Sequence, residues 1–267
     1  MADVKESTKE VYQNNFKGEE YNEELKDLLP AAEPIFEFSL AFIQEVIQSK
    51  KFEGTKLLEI GSASTIHNIA SASSYYTNIV QSEFTECSRE ALKRWHKGEI
   101  SLDFAFLKIV AKLEGYGDDL EKGRKILESR VRNAVKCVVS CDLLSNEILK
   151  MEELISSETQ PPYDLIITML TLESACPDSQ HFLAALKGIN KLLRKGGGLV
   201  ASGFENGGRW KVGRKWFPYL QHNVQDIVRA LKEAGFGNIT FKIYYPQEAR
   251  IYYKHDDVFY CFAAEKL

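Results

Sequence analysis

The segment Leu57-Leu58-Glu59-Ile60-Gly61-Ser62-Ala63-Ser64-Thr65-Ile66 constrains this chain most. A short apolar run ends on an acidic residue, breaks at Gly61 and small residues, and resumes a helical spacing through Ile66, Ile69 and Ala70. The pattern predicts a strand, a tight turn and the start of a helix, the place where open α/β sheets bind nucleotides. Gly61 is expected to let the backbone approach a ligand, because a Cβ there would collide with it. With a single glycine the segment does not meet G-x-G-x-x-G, so alone it does not define a site.

Three later segments add weight. Ile79-Val80-Gln81-Ser82-Glu83 reads as a second strand closing on a carboxylate, about 20 residues on, where dinucleotide-type folds carry their ribose-binding acid. Lys136-Cys137-Val138-Val139-Ser140-Cys141 reads as a third strand closing on Asp142, and Tyr163-Asp164-Leu165-Ile166-Ile167-Thr168-Met169 as a fourth leading into Leu172 and Glu173. Glycine, glutamate and aspartate delivered by three successive strand ends outline a pocket for a nucleoside. The competing reading makes Glu83 and Asp142 helix caps or solvated loop charges; it suits each residue alone better than it suits the ordered set.

From residue 55 onward strands and helices alternate, which predicts a mostly parallel sheet covered on both faces, within one domain over 1–267. Residues 1–52 read as an N-terminal helical lid: Tyr12, Phe16 and Tyr21 punctuate a charged segment. After Pro30 and Pro34, Phe38, Phe42, Val46 and Ile47 share a helical face. Residues 101–133 interrupt the rhythm and read as a solvated helical insertion, with Glu121 and Lys125, and Glu128 and Arg132, at ion-pair spacing. A helix is expected from Pro177 to Leu193, ended by Arg194-Lys195-Gly196-Gly197-Gly198, before a strand at Leu199-Val200-Ala201-Ser202. The last helix runs from His222 to Ala234, and two strands come after it at residues 238–245 and 258–264.

Composition closes several options. The net charge of −4 argues against a polyanion-binding surface, and hence against nucleic acid as a partner. No apolar stretch reaches the length of a membrane span. The first residues lack the apolar core of a secretory signal, and the five cysteines include no C-x-x-C pair, so reduced thiols in the cytoplasm are the expectation. The five histidines show no metal-ligand spacing, and no metal is expected.

The run Leu170-Thr171-Leu172-Glu173-Ser174-Ala175-Cys176-Pro177-Asp178, with Leu192-Leu193-Arg194-Lys195-Gly196-Gly197-Gly198-Leu199-Val200 after it, resembles the nicotinamide, phenylethanolamine and indolethylamine/thioether N-methyltransferases. The likeness extends over nearly the whole chain, including Tyr12-x3-Phe16-x4-Tyr21 and Leu231-Lys232-Glu233-Ala234-Gly235-Phe236. It implies a Rossmann-like, doubly wound α/β fold. Its sheet would be seven-stranded and mostly parallel, with helices on both faces and an antiparallel last strand. It also implies S-adenosylmethionine as cofactor, leaving S-adenosylhomocysteine. Gly61 and Ser62 would then pass beside the amino-acid end, and Tyr12 and Tyr21 would close over the sulfonium with ~0.5–2 kcal/mol of cation–π attraction. Glu83 would take both ribose hydroxyls, Asp142 the adenine amino group, and Leu143 would lend a backbone amide. Met169 would line the cofactor slot, a position where core filling is an equal alternative.

Departures from the family pattern are visible. Gly-Ser-Gly-Pro-Thr is here Gly61-Ser62-Ala63-Ser64-Thr65; His67 replaces an aromatic, Ser88 an asparagine, and Lys26 an aromatic beyond Tyr21. None removes a required charge, so cofactor binding with altered affinity is expected.

Methyl transfer is a one-step displacement, which needs alignment more than an acid/base dyad. An attacking amine must be neutral, so a carboxylate that attracts the ammonium form and accepts its proton is useful. Glu173, just past the fourth strand, is the candidate catalytic residue and resembles the acid of the phenylethanolamine branch. Glu205, Asp256 and Asp257 are further candidate anchors, with solvated loop charges as the alternative. Trp210, Trp216, Phe217 and Tyr219 suggest an aromatic wall that could stack a flat ring, Trp210 falling where the family stacks its substrate. The expected substrate is a small aromatic or heteroaromatic amine, handled by a monomer without nucleic acid or membrane. The alternatives are a pyridine such as nicotinamide, and a non-catalytic cofactor-binding homologue. Nicotinamide is disfavoured because Gly203 and Pro218 or Tyr219 stand where that branch carries Asp and Ser. An NAD-dependent oxidoreductase is the remaining rival, weakened by the poor glycine fingerprint.

Overall fold

Long apolar strands that need cover on both faces, separated by amphipathic helices, produce a central sheet here. The structure, a computed structural model, describes residues 7–16, 18–205, 208–212, 215–245 and 258–267. Two helices come first, α1 (Ser7–Asn15) and α2 (Gly18–Gln48). Then come β1 (Lys56–Ile60), the short α3 (His67–Ala70), β2 (Asn78–Glu83) and α4 (Glu86–His96). The middle of the chain forms α5 (Leu107–Leu113), α6 (Leu120–Ala134), β3 (Val135–Ser140) and β4 (Tyr163–Met169). The last part runs α7 (Leu172–Ala175), α8 (Ser179–Leu192), β5 (Leu193–Glu205), β6 (Arg209–Val212), β7 (Lys215–Pro218), α9 (Val224–Glu233), β8 (Phe236–Tyr244) and β9 (Val258–Lys266).

Seven strands form one sheet in the order β3-β2-β1-β4-β5-β9-β8. β1 to β5 pair in parallel, while β9 runs antiparallel to both β5 and β8, so the antiparallel last strand is found as expected. Strand order reverses between β1 and β4, which makes the carboxyl ends of these strands the topological switch point. Each face of the sheet has its own apolar layer. Ile43, Ile69, Val110 and Val131 cover one face beneath α2, α3, α5 and α6, and Phe182, Ile189, Ile227 and Leu231 of α8 and α9 cover the other.

Two expectations need correction, and two features carried no expectation. α2 runs straight through Pro30 and Pro34 as one 31-residue helix. Each proline lacks one amide donor, and packing of Ile35, Phe42 and Ile43 into the core supplies what propensity withholds. Residues 101–133 are no solvated insertion: Leu107, Val110, Leu127 and Val131 are fully buried, and the exposed Glu121–Lys125 pair marks only the outer face of α6. The Arg194-to-Gly198 run ends α8 but is itself the start of β5, joined to β4 across a register shift between Tyr163 and Leu165. The β6–β7 hairpin, with Trp210 paired to Phe217, had no sequence expectation at all. Smaller differences come from caps. Asp178 accepts from His181 N at 2.9 Å and starts α8 at Ser179, and Asn223 accepts from Asp226 N at 2.9 Å and starts α9 at Val224.

Candidate active site

The ends of β1, β2, β3 and β4, covered by the first two helices, enclose a cavity of about 490 Å³. That is the size range of small-molecule and cofactor sites. Its wall includes Tyr12, Tyr21, Gly61, Ser62, His67, Glu83, Asp142, Leu143, Met169, Glu173 and Tyr219 among the residues singled out from sequence. Ser88 and Glu205 stand outside the wall. Asp256 and Asp257 lie outside the described residues, and so does the Trp210 side chain.

The turn after β1 is held from below. Buried Glu59 accepts from Ser62 Oγ and Gln81 Nε2, each at 2.9 Å, and from Asn68 Nδ2 at 3.3 Å. Burial pushes its carboxyl up to about 7 against those donors. Ser62 therefore turns its hydroxyl inward to Glu59 rather than toward the cavity. Gly61 has φ +78°, and a Cβ on it would meet the Thr171 side chain at 2.3 Å. The close approach that demands glycine is thus the loop after β4, not a ligand. Ala63 takes the left-handed conformation, φ +46°, where the sequence lacks the expected second glycine.

Glu83 fixes that turn. Its Oε2 accepts from Ala63 N at 2.9 Å, and its Oε1 accepts from Thr85 N and Thr85 Oγ1, each at 2.8 Å. Thr85 in turn bonds Ser88 Oγ at 2.9 Å, so Ser88 supports Glu83 through Thr85. A carboxylate offers roughly four lone-pair positions, and these bonds take three of them. Room for one further donor remains, one fewer than two ribose hydroxyls would use. Burial raises the Glu83 carboxyl above the usual range, and the Thr85 and Ala63 donors oppose the shift.

Asp142 accepts from Leu144 N at 2.9 Å through Oδ1, and its Oδ2 is paired with Lys9 of α1. The other walls are aromatic and apolar. His67 packs edge-on against Phe36 and Phe106, and burial lowers its pKa to about 4, so it is neutral. Phe217 is fully buried outside the cavity, where its ring lies 4.7 Å from Tyr12 and 6.1 Å from Phe16. It pins α1 onto the hairpin. Trp216 is 56% exposed and reaches the wall.

Glu173 is the most unusual group. It is 2% exposed, its Oε2 has no hydrogen-bond partner, and burial pushes its carboxyl up to about 8. Its space exists because residue 203 is glycine: a Cβ there would stand 3.0 Å from the Glu173 Cδ and 2.3 Å from the Tyr260 hydroxyl. Tyr260 instead bonds His222 Nε2 at 2.8 Å. Glu205 behaves differently from expectation. Its carboxylate accepts from Val224 N at the start of α9, so it serves that helix rather than the cavity.

Sequence reasoning missed Ser202, Phe204, Phe36, Thr85 and Lys9, which also line the cavity. A hydroxyl in the apolar run Leu199 to Phe204 was the available signal for Ser202; Lys9 and Phe36 offered none, since only the closing of helices over the sheet brings them in. Among the described residues no group of His, Cys, Asp and Glu could hold a metal ion, and no helix is long and apolar enough to cross a membrane.

A seven-stranded sheet of this order with a cavity at the switch point is the fold of the class I S-adenosylmethionine-dependent methyltransferases. The solved magnesium protoporphyrin IX methyltransferase of Synechocystis PCC 6803, with bound SAH, superposes with a TM-score of 0.58. That match covers 97% of this chain and 100% of that one at 12% identity, a likeness of fold alone. The chain belongs to the NNMT/PNMT/TEMT family, which matches it over residues 4–267. Indolethylamine N-methyltransferase of Oryctolagus cuniculus is 32% identical over 222 residues, covering 82% of this chain and 79% of that protein. Nicotinamide N-methyltransferase of Homo sapiens is 30% identical over 193 residues, covering 72% and 69%.

Proposed function

We propose that this chain transfers a methyl group from S-adenosylmethionine to the nitrogen of a small aromatic or heteroaromatic amine, with Glu173 as the acid/base residue. The observation that carries the reading is the Glu173 carboxyl. It is more than nine-tenths buried in the cavity wall with one oxygen unpartnered. A buried unpaired carboxylate oxygen is costly unless a ligand completes it. An ammonium group is the natural complement.

The cavity fits the cofactor. Glu83 retains one acceptor position for a ribose hydroxyl, and Asp142 and the Leu143 backbone sit at the end of β3 for an adenine edge. Tyr12, Tyr21, Gly61 and Met169 line the remainder, with His67 beneath as a neutral filler and Ser88 acting through Thr85. When bound, the cofactor supplies an electrophilic methyl group on a sulfonium. The chain's own task is to hold the amine in line and free its lone pair. An ammonium entering beside Glu173 gives its proton to the carboxylate, leaving neutral amine and neutral acid. A carboxyl with a pKa of about 8 holds or releases a proton readily near neutral pH, which suits that exchange. Water exclusion by the lid formed by the first two helices and alignment supply the rest of the rate.

Tyr219, Trp216 and Phe204 provide apolar faces for a flat ring. Glu205 is withdrawn as an anchor because its carboxylate is used by α9. Trp210 and Asp257 keep their proposed roles on the family resemblance alone. A pyridine nucleophile needs no base and would leave Glu173 unexplained; a non-catalytic homologue would leave it equally so. The test is incubation of the pure protein with methyl-labelled S-adenosylmethionine and separate panels of arylalkylamines, indolethylamines and pyridines. Labelled amine product is expected. Label on pyridines alone, or no label in protein that binds the cofactor, overturns the reading.

A further inference from the structure

Behind Glu173 lies a pair of polar rings that the proposed proton exchange leaves without a role. Tyr260 on β9 is 1% exposed and His222, just before α9, is 7% exposed, and neither belongs to the cavity wall. Their neighbours form the apolar layer beneath α8 and α9. The Phe182 ring lies 5.2 Å from His222, and the Phe241 and Phe262 rings lie 6.1 and 6.3 Å from Tyr260. Polar groups are costly in such a layer unless they satisfy one another. The 2.8 Å bond between His222 Nε2 and the Tyr260 hydroxyl does so only in part, because His222 Nδ1 stays buried without a partner.

The Tyr260 hydroxyl adjoins Glu173. Gly203 pairs with Tyr260 across the sheet, and a Cβ on residue 203 would stand 2.3 Å from that hydroxyl and 3.0 Å from the Glu173 Cδ. Both groups therefore border one point, which a glycine keeps clear. Burial lowers His222 to about 4, so its ring is neutral, and pushes Tyr260 well above the ordinary phenol range, so its hydroxyl keeps its proton. A neutral imidazole carries one N–H. On Nδ1 that N–H would be a buried donor with no acceptor. On Nε2 it donates to the Tyr260 oxygen and leaves the phenol proton free to point the other way, toward Glu173. Glu173 accepts from its own backbone N–H, and its Oε2 is unfilled. An ionised carboxylate offers roughly four acceptor positions, so Tyr260 behind it and an ammonium in front of it do not compete.

We infer that Tyr260, held by His222, is a positioning residue for Glu173: its hydroxyl donates to the ionised carboxylate from behind and keeps it able to receive the proton of the substrate ammonium. The inference rests on the proposed N-methyltransferase reading and deepens it. The donor chain runs from His222 Nε2–H through Tyr260 to Glu173, each bond polarising the next. A donor to the charged form works against burial, which favours the neutral acid. Four other titratable groups face this trio: Glu205 on β5, Asp226 on α9, Cys176 after α7 and Cys261 on β9. Burial keeps both thiols protonated. Glu205 accepts from Val224 N, and Asp226 pairs with Arg229 at 3.4 Å.

Infrared titration of the ligand-free protein reads the proposed bond, following the carboxyl band that Glu173→Gln removes and so separating it from those of Glu59 and Glu83. Tyr260→Phe is expected to raise the midpoint of that band by about one pH unit, the effect of losing a donor to the charged form. The acid limb of kcat/KM against pH is expected to move up equally, a loss of about tenfold at pH values below the midpoint. Tyr260→Phe leaves His222 Nε2 without a partner. Tyr260→Phe/His222→Leu removes both polar groups, protects the fold, and is expected to show the same rise. An unchanged or lowered midpoint in the double variant overturns the inference. If wild type still methylates an amine in that case, only this inference fails. If the midpoint rises in protein that labels no amine, the hydrogen bond stands and the N-methyltransferase reading fails instead.

Discussion

Ala63 shows how a site can keep a conformation after losing the residue that favours it. At φ +46° an L-residue other than glycine is strained, by about 1–2 kcal/mol. The bond from its amide to Glu83 holds the turn there regardless. Ala63→Gly is therefore expected to stabilise the protein by about 1 kcal/mol in denaturant titrations, the relief of strain exceeding the extra flexibility of the unfolded chain. A destabilised variant would mean the Ala63 methyl packs more than it strains. Residues at strand ends were legible in the sequence because a strand's last position fixes where its successor points. Gly61, Glu83, Asp142 and Glu173 obey that logic into the cavity wall. Ser202 and Lys9 escaped it, one hidden in an apolar run and the other carried in on a separate helix. Glu205 misled because a carboxylate after a strand can serve a helix start equally well.

At the scale of elements, the parallel strands read clearly because each is a short apolar run ended by small or acidic residues. The lid read less well. The two prolines left its continuity unread, since tertiary packing sustains one helix through them. The hairpin of β6 and β7 went unread although Arg209-Trp210-Lys211-Val212 alternates polar and apolar residues, because that run is only four residues long. Yet that hairpin fastens the lid. Phe217 packs on Tyr12 and Phe16, while Asn22 donates to Ser64 O at 3.2 Å and ties α2 to the glycine turn. Phe217→Ala removes packing worth about 3–5 kcal/mol at a buried aromatic. The loss is expected to be local: faster hydrogen exchange across Ser7–Asn15 and weaker S-adenosylmethionine binding, with the sheet amides unchanged. Equal acceleration in β1 to β5 would show that the lid and sheet unfold as one unit.

The whole molecule carries an unusual set of buried titratable groups. Burial lowers His67, His96 and His222 to about 4 and raises Glu59 to about 7 and Glu173 to about 8. The histidines favour the folded state fully above their ordinary pKa of 6.5 and lose that contribution as pH falls toward 4. The two acids act oppositely. Their folded pKa exceeds the ordinary 4.5, so the unfolded chain releases its protons first and stability falls as pH rises toward 8. Between 4.5 and 6.5 the effects oppose each other; between 6.5 and 8 only the acids act. The ligand-free protein is expected to lose melting temperature over that upper interval, and Glu173→Gln to lose less of it. A wild-type curve flat to pH 8 would show that Glu173 ionises at an ordinary pKa and is better solvated than its burial implies.

The most direct measurement pairs equilibrium binding of S-adenosylmethionine with single-turnover methyl transfer in Glu173→Gln and wild type, using the best amine from the labelled panel. Cofactor affinity is expected to stay unchanged while transfer slows by about 10²–10⁴-fold, the usual worth of a positioned acid/base group. Transfer at the wild-type rate, or a matching loss of cofactor affinity, would remove Glu173 from the chemistry and leave it a structural residue.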